Sequence, residues 1–338
     1  MISFQQGSTP VSVKAGELWA APGGGGSYRD LTEERLWAII RQIEAGMPWR
    51  DAVGAYCATD NPWLHQIITS PARALFFQQH PPAPGAKVLD IGAGWGQIAL
   101  PLARGEGHCS VTALEPTRER LAFIRAAAAQ EQLLERMQFL QADFQDLDFG
   151  PDFDLVCCVG VLEWVPKFRP GDHRGVQLEF LRRMRSALRP GGQCCVGIEN
   201  RLGLKYVLGA RDDHTALRNV SVFDAALAQA KHLNLTGKEL RAFTYTLAEY
   251  QALFQEAGFA RVEAHAAFPD YKLPRLILPI DPAADFNRSL LSHPIPPEHD
   301  GIDGQLLPQP EEYVSHYHSL AQMGVAHCFS PSFFFVLR

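Results

Sequence analysis

The densest chemistry in the chain lies at Val88-Leu89-Asp90-Ile91-Gly92-Ala93-Gly94-Trp95-Gly96-Gln97. An apolar run closes on an acid, passes through three alternate glycines and enters Ile98-Ala99-Leu100-Pro101-Leu102-Ala103. The pattern predicts a strand, a tight turn and a helix. Glycines lack Cβ, so the main chain can turn sharply there and approach a ligand closely. A helix start adds free N–H groups facing the same space. Together they suit a nucleotide-type cofactor. A dinucleotide fingerprint, G-x-G-x-x-G, would need its third glycine at position 97. That position holds Gln97, and the glycine falls one residue early, at Gly96.

Acids recur at the ends of the strands that follow. Residues 110–115 read as a second strand closing on Glu115-Pro116, with Leu121, Ile124 and Ala128 at helical spacing behind it. A third strand, over residues 137–142, runs into Asp143-Phe144. Asp143 reads equally well as a turn-starting acid, because Asp146 and Asp148 follow in the same loop. A fourth strand, over 153–159, continues through Gly160 to Glu163-Trp164. A fifth follows the turn Leu188-Arg189-Pro190-Gly191-Gly192 and ends at Glu199-Asn200.

The D-x-G-x-G-x-G spacing, the acids at 115 and 143 and the L-R-P-G-G turn resemble the class I S-adenosylmethionine (SAM)-dependent methyltransferases. The likeness covers roughly residues 85–200 and, less sharply, 245–270 and the C-terminal end. It implies a cofactor set of Asp90, Gly92, Gly94, Gly96, Glu115, Pro116, Asp143, Phe144 and Gly160. Within that set Glu115 would meet the ribose hydroxyls, Asp143 the adenine amino group and Phe144 the adenine ring. The implied fold is α/β, a doubly wound, seven-stranded Rossmann-like sheet. Its sixth strand would lie over residues 261–268, and residues 332–338 would form an antiparallel seventh beside it. Residues 1–80 would be an extension and helical cap; residues 81–338 would be the SAM-binding domain, with lid inserts at about 201–245 and 270–328.

In such a sheet ligands lie beyond the carboxyl ends of the strands, which gathers residues 92–96, Glu115, Asp143, Glu163 and Asn200 on one rim. Methyl transfer is an in-line displacement from an already activated sulfonium, so the protein mainly supplies proximity and alignment. A hydroxyl acceptor also benefits from a general base. His214, within Arg211-Asp212-Asp213-His214, leads the candidates, followed by His173 and Glu163, with Asp213 beside them. His214 can equally be a surface histidine bonded to its neighbouring acids. Most members of the resembled family carry V-L-E-H after the fourth strand, whereas here Trp164 stands in the histidine's place.

Glu163, Glu199 and Asn200 offer hard oxygen donors suited to Mg²⁺. Metal-dependent family members carry an Asp after the fourth strand and Asp-Asn after the fifth, so the expectation here is no metal. The stretch from Glu199-Asn200-Arg201-Leu202-Gly203-Leu204-Lys205-Tyr206 to Asp213-His214 resembles bacterial methyltransferases associated with glycan or lipopolysaccharide assembly. That implies a small-molecule acceptor, a sugar or nucleotide-sugar hydroxyl, met by Trp164, Asn200, Arg201, Lys205, Tyr206 and Asp213. Arg201, Lys205 and Arg211 would address a phosphate or carboxylate, or else be ordinary solvated cations. Two further readings stay open: O- or N-methylation of an aromatic or polyketide-like metabolite, and a non-catalytic SAM-binding scaffold. Gln97 disfavours a dehydrogenase.

Composition sets wider bounds. The 338 residues are 46% hydrophobic and 20% charged with a formal net charge of −6, which offers no cationic footprint for nucleic acid. Seven cysteines form no metal-binding spacing, and the pairs 157–158 and 194–195 read as reduced core residues of a cytoplasmic protein. No apolar run is long enough to span a bilayer. The oligomeric state stays open, a homodimer included. Residues 1–28 look polar and extended, with the glycines at 23–26 as linker, hinge or flap. Asp30 and Glu33 suggest a helix start ahead of Leu36, Ile39, Ile40 and Ile43. Further helices should open at Pro48-Trp49 and at Asn61-Pro62, the latter running to about Gln79. Trp19, Trp37, Trp49 and Trp63 belong to this cap, and Thr246-Leu247-Ala248-Glu249 is a capping box.

Overall fold

The computed structural model describes residues 1–22, 30–296 and 310–338. The glycine run at 23–26 and the 297–309 part of the second insert lie outside the described residues. The chain forms two compact units, one of residues 1–158 and 183–194, the other of 159–182 and 195–338. These boundaries fall at other positions than the division read near residue 80.

The first unit opens on strands within the stretch read as polar and extended. β1 (Ile2–Gln6) and β2 (Thr9–Val13) pair antiparallel around Gly7, and β3 (Leu18–Ala20) follows. Ile2, Phe4 and Val13 are buried, which is why this short hairpin holds. α1 (Glu33–Glu44) is capped by Thr32, whose hydroxyl accepts the Arg35 N–H, and not by Asp30. Its Leu36, Ile39, Ile40 and Ile43 are buried at the spacing their sequence predicts. α2 (Trp49–Cys57) follows. The next predicted helix is broken: α3 (Pro62–Thr69) gives way to a 3-10 turn, Pro71–Ala74, before α4 (Leu75–Gln79). Pro71 has no N–H with which to continue the helical ladder.

Then come β4 (Lys87–Ile91), α5 (Ala99–Arg104), β5 (Ser110–Leu114), α6 (Arg118–Gln130), β6 (Met137–Gln141), β7 (Leu147–Asp148) and β8 (Phe153–Val159). The strands line up as β8-β4-β5-β6-β3, every pairing parallel. Val88, Leu89, Val111 and Ala113 are fully buried, in keeping with continuous apolar strands covered on both faces. Trp49 is a core residue: its indole N–H donates to Glu131 at 2.7 Å and its ring stands edge-on to Phe123.

The second unit takes in α7 (Val165–Phe168), most of α8 (His173–Ser186) and the end of β9 (Leu188–Glu199), entering at Cys195. α9 (Leu204–Val207), α10 (Ala225–Thr236), α11 (Leu247–Glu256), β10 (Val262–Phe268), β11 (Leu276–Pro279), α12 (Ala283–Ser292), α13 (Pro310–Gln322) and β12 (Ser332–Leu337) follow. The strand order is β11-β10-β12-β9. β12 runs antiparallel to β10, Val262 opposite Leu337, as the predicted last two strands should. The expected count of seven is corrected to nine, because β3 and β11 each add an edge. α11 starts on the predicted capping box, Thr246 and Glu249 each bonding the other's backbone. Phe333, Phe334 and Phe335 are fully buried, with Phe335 against Tyr250 and Phe254, so they are core. The seven cysteines form no disulfide, and those at 157, 158, 194 and 195 are buried. No described helix is long and apolar enough to cross a membrane.

Gly197 shows how tightly this second core is packed. A Cβ there would stand 2.8 Å from Phe334 Cε1 and 2.9 Å from Val159 Cγ1. Gly197→Ala should therefore cost about 1–3 kcal/mol through overpacking. Thermal denaturation checks this, and an unchanged Tm would mean that the neighbouring rings yield freely.

Candidate active site

In the first unit the chain leaves β4 through Gly92, Gly94 and Gly96 at φ 67°, 57° and 79°, a region side chains rarely enter. The N–H groups of Gly92 and Ala93 both donate to the Leu114 carbonyl, at 2.8 and 3.0 Å. Glu115 braces the loop from its own strand end, accepting the Gly94 N–H on Oε2 and the Thr117 N–H on Oε1, each at 2.9 Å. A carboxylate offers about four lone-pair directions, so Glu115 keeps capacity for ribose hydroxyls. Burial raises its carboxyl to about 7, the two N–H bonds working against the rise. Gln97 Oε1 accepts the Trp95 N–H at 3.1 Å, closing the turn where a dinucleotide motif would want glycine.

Asp90 is buried, its Oδ2 has no partner, and burial lifts its carboxyl to about 7. An orphaned buried oxygen beside a glycine turn is what a cofactor donor would satisfy, so these residues fit SAM. Asp143 caps the next turn through the Gln145 N–H at 2.9 Å, and Phe144 is buried and stacked with Phe149. Pro116 is half-buried. Gly160 belongs to the second unit, where its N–H donates to the Gly197 carbonyl. Asp30, read as a helix cap, instead accepts the Trp95 indole N–H at 2.9 Å and pairs with Arg120.

The second unit gathers a buried charge cluster. Glu163 comes shortly after β8, Glu199 ends β9, and Asp212, Asp213 and His214 sit on a turn after α9. That turn is fixed by Asp212 Oδ1, which accepts the N–H groups of His214 and Thr215 at 3.0 and 2.7 Å, while Ser221 donates to Oδ2. The His214 side chain is 4% exposed, so the surface-histidine reading is overturned. Its Nε2 lies 3.9 Å from Glu163 Oε1 and 3.7 Å from Glu199 Oε2, and its Nδ1 lies 3.7 Å from Asp212 Oδ2. Trp164 packs edge-on against the ring, centroids 4.9 Å apart. Lys205 reaches both Asp213 oxygens at 3.2 Å. Lys272 bonds Glu199 Oε1 at 2.5 Å and Asp213 Oδ2 at 3.0 Å. Left unpartnered are both Glu163 oxygens, Glu199 Oε2 and the Tyr206 hydroxyl.

Burial alone would lower the His214 pKa, but Glu199, Asp212 and Glu163 outweigh it and lift it well above the ordinary imidazole value. His214 therefore holds its proton at neutral pH and is a poor first base, a correction to its sequence assignment. Glu163 is shifted the other way for a carboxylate, raised by burial and by the like charge of Glu199 against the pull of His214. A carboxylate moved upward is the better proton acceptor. Asp212 is held at about 2 because its bonds and charge pairing with His214, with Ser221 and Thr215 helping, exceed the cost of burial.

Several other assigned residues prove to be framework. His173 stacks on Phe243, centroids 3.7 Å apart, and is not among the cluster's partners. Asn200 gives its amide hydrogens to the Cys328 and Ser330 carbonyls and accepts the Leu202 N–H, which removes it from both the acceptor and the metal sets. Arg201 forms a bidentate pair with Glu249. Arg211 bonds the Ala216 carbonyl. Trp164, Lys205, Tyr206 and Asp213 stay with the cluster. Lys272 was missed; its only signal was a cation lodged between Pro269 and Pro274 in a stretch read as surface wrapping. With Asn200 gone, Glu163, Glu199 and His214 each still offer one ligand atom, all within 4.8 Å of one another.

The class that fold and motif define is that of the SAM-dependent methyltransferases. Residues 88–192 match the family described as methyltransferase domain, and this segment is a class I domain of that kind. Among similar proteins are two ubiquinone biosynthesis O-methyltransferases. The one from Rickettsia conorii is 28% identical over 123 residues, 36% of this chain and 38% of that protein. The one from Aeromonas salmonicida is 29% identical over 187 residues, 53% of this chain and 66% of that protein. The match thus spans less than two thirds of either relative. Solved structures of similar form include the CcbJ methyltransferase from Streptomyces caelestis, with TM-score 0.47 and 19% identity over 79% of this chain and 88% of that one. Another is Haemonchus contortus phosphoethanolamine N-methyltransferase 2, with TM-score 0.44 and 14% identity over 88% and 59%.

Asp90 supplies a pH test. Its folded carboxyl titrates near 7 against an ordinary 3.8, so the folded state holds the extra proton between these values. Stability contributed at this site therefore falls as pH rises through that window, and the penalty vanishes below it. Asp90→Asn should raise the cofactor-free Tm at pH 8, the gain shrinking towards pH 4. An equal gain at both pH values would show that Asp90 is not the titrating group.

Proposed function

We propose that the protein transfers a methyl group from SAM to a hydroxyl of a polyhydroxylated small molecule, a sugar in the first instance. The observation that carries this reading is Glu163, 1% exposed with both oxygens unpartnered, among groups that nearly all hydrogen-bond. Orphaned carboxylate oxygens favour an acceptor rich in O–H donors. Lys205 and Arg201, expected to meet a phosphate, are instead paired with Asp213 and Glu249, which favours a neutral sugar over a nucleotide-sugar. Of the aromatic residues that would favour a flat apolar acceptor, Phe333 to Phe335 and Trp49 are core, whereas Trp19, Trp37 and Trp63 are half-buried.

When bound, SAM supplies an electrophilic methyl group that needs no further activation. Gly92, Gly94 and Gly96 give its amino-acid end close backbone approach, Asp90 and Glu115 accept its hydrogen bonds, and Asp143 and Phe144 address the base. In the second unit Glu163 would accept the acceptor's O–H hydrogen bond and take its proton, the donor's S–CH₃ bond breaking as the O–CH₃ bond forms and S-adenosylhomocysteine leaving with the sulfur's electron pair. The His214 imidazolium and Lys272 hold Glu163 and Glu199 in place by charge, while Lys205 and Lys272 neutralise Asp213. A phenolic hydroxyl is the second reading, favoured by the names of the ubiquinone-biosynthesis relatives. It would use the same proton acceptor.

Labelled SAM incubated with sugar, nucleotide-sugar and phenol panels, the methyl then located by mass spectrometry, separates these acceptors. Glu163→Gln should lower turnover by about 10²-fold or more, the usual worth of a general base, with SAM affinity unchanged in calorimetry. Gly94→Leu should abolish SAM binding. Tight SAM binding with no methylation of any panel member would leave the scaffold reading standing and end the enzymatic one.

A further inference from the structure

We propose that Glu163, Glu199 and His214 together bind one divalent first-row transition ion, with Zn²⁺ and Mn²⁺ the leading candidates. This rests on taking the cluster as the acceptor site, and it departs from the no-metal expectation by using a ligand set in which His214 replaces Asn200. Binding displaces the proton that His214 otherwise holds on Nε2, the ion's charge taking over the imidazolium's hold on the two carboxylates. Geometry carries it. One donor atom from each residue falls within 4.8 Å of the other two. The Nε2 separations, 3.9 Å to Glu163 Oε1 and 3.7 Å to Glu199 Oε2, are too long for hydrogen bonds. A charged imidazole–carboxylate bond would close to about 2.8 Å. Ligands held about 2.1 Å from one ion stand roughly 3–3.5 Å apart, so both imidazole–carboxylate separations lie within a few tenths of an ångström of that range.

A second observation points the same way. Three carboxylate oxygens on residues exposed by 1% each find no donor, and an ion held by Glu163 Oε1 and Glu199 Oε2 satisfies two of them where no protein group does. The surroundings also hold the ligands as a metal site requires. Lys272 grips Glu199 by its other oxygen, and Asp212 faces the far ring nitrogen of His214 at 3.7 Å. A set of two carboxylates and one imidazole suits Zn²⁺ or Mn²⁺ better than the all-oxygen preference of Ca²⁺ or Mg²⁺. An acceptor hydroxyl joining the open positions would be acidified, and Glu163 Oε2, the oxygen turned from His214, would still be free to take its proton.

The test is direct titration of the full-length protein, stripped with EDTA and dialysed, against Zn²⁺ and Mn²⁺ in calorimetry. Co²⁺ serves as a visible-absorption probe on the unaltered chain. One ion per chain, a Tm rise on binding and a Co²⁺ d–d band are expected. His214→Gln and Glu199→Gln should weaken affinity at least 100-fold, and Asp212→Asn by about 10- to 100-fold through His214's orientation. Because a variant could misfold, the Co²⁺ band of the unaltered protein decides independently: its absence overturns the site. Stripped enzyme that methylates at full rate and binds none of these ions also overturns it, while leaving methyl transfer standing. One ion bound through these residues with no hydroxyl methylated would keep the site and end the transfer reading.

Discussion

Charge buried without enough internal partners is the constraint on which the second unit depends. Glu163, Glu199, Asp212 and the His214 side chain are all within a few per cent of full burial. Taking an ion out of water costs several kcal/mol even after relaxation, and a pair recovers this only when hydrogen bonds complete it. Here the recovery is uneven. Asp212 is completely served by two backbone N–H groups and Ser221, and Asp213 by two lysines. Glu163 is served by nothing closer than an imidazole nitrogen 3.9 Å away. A fold that finishes Asp212 and Asp213 but leaves Glu163, with Glu199 Oε2 and the Tyr206 hydroxyl beside it, has gathered the shortfall where an external donor or ion gains most.

The first unit shows the same imbalance on a smaller scale. Glu115 is tied to the glycine turn by two N–H bonds, whereas Asp90, on the adjacent strand, keeps an oxygen with no partner. Rigidity and vacancy are combined. The glycine conformations fix the path of the loop, the Leu114 carbonyl anchors its first two N–H groups, and the unsatisfied atom lies on the strand that leads into it. A loop preorganised in this way loses little conformational freedom when a ligand arrives.

The cofactor loop was legible because its signals are local. Three alternate glycines and an acid at a strand end act through backbone geometry within a few residues, whereas the turn expected at residues 188–192 lies within β9 itself. β5 and β6 take their places beside β4 in chain order, whereas β8 and β3 join from far along the chain. The cluster was only half legible. Glu163, Lys205, Tyr206, Asp213 and His214 were marked by residue type, but their protonation and partners depend on residues far apart in the chain. Lys272 reaches Glu199 across 73 positions, and Asn200 spends its amide on carbonyls 128 and 130 positions away. No spacing rule carries such information. Arg201 misled for the complementary reason: the glutamate that neutralises it, Glu249, was recognised only as half of a helix cap.

The insert over residues 201–245 therefore differs from an accessory lid. It carries Lys205, Tyr206, Asp212, Asp213 and His214, so removing it would leave Glu163 and Glu199 as two buried like charges with Lys272 alone against them. The departure at position 164 fits this arrangement. Where most members of the resembled family continue from glutamate to histidine, this chain continues to Trp164, whose ring meets edge-on the His214 imidazole carried by the insert. An indole supplies a wide apolar flank without a competing charge, so it seats the incoming ring while leaving both nitrogens to the carboxylates. Residue 164 and the insert are in this sense one device: a histidine at 164 would put a second titrating ring beside the first and blur the charge pattern that Glu199, Asp212 and Glu163 impose on His214.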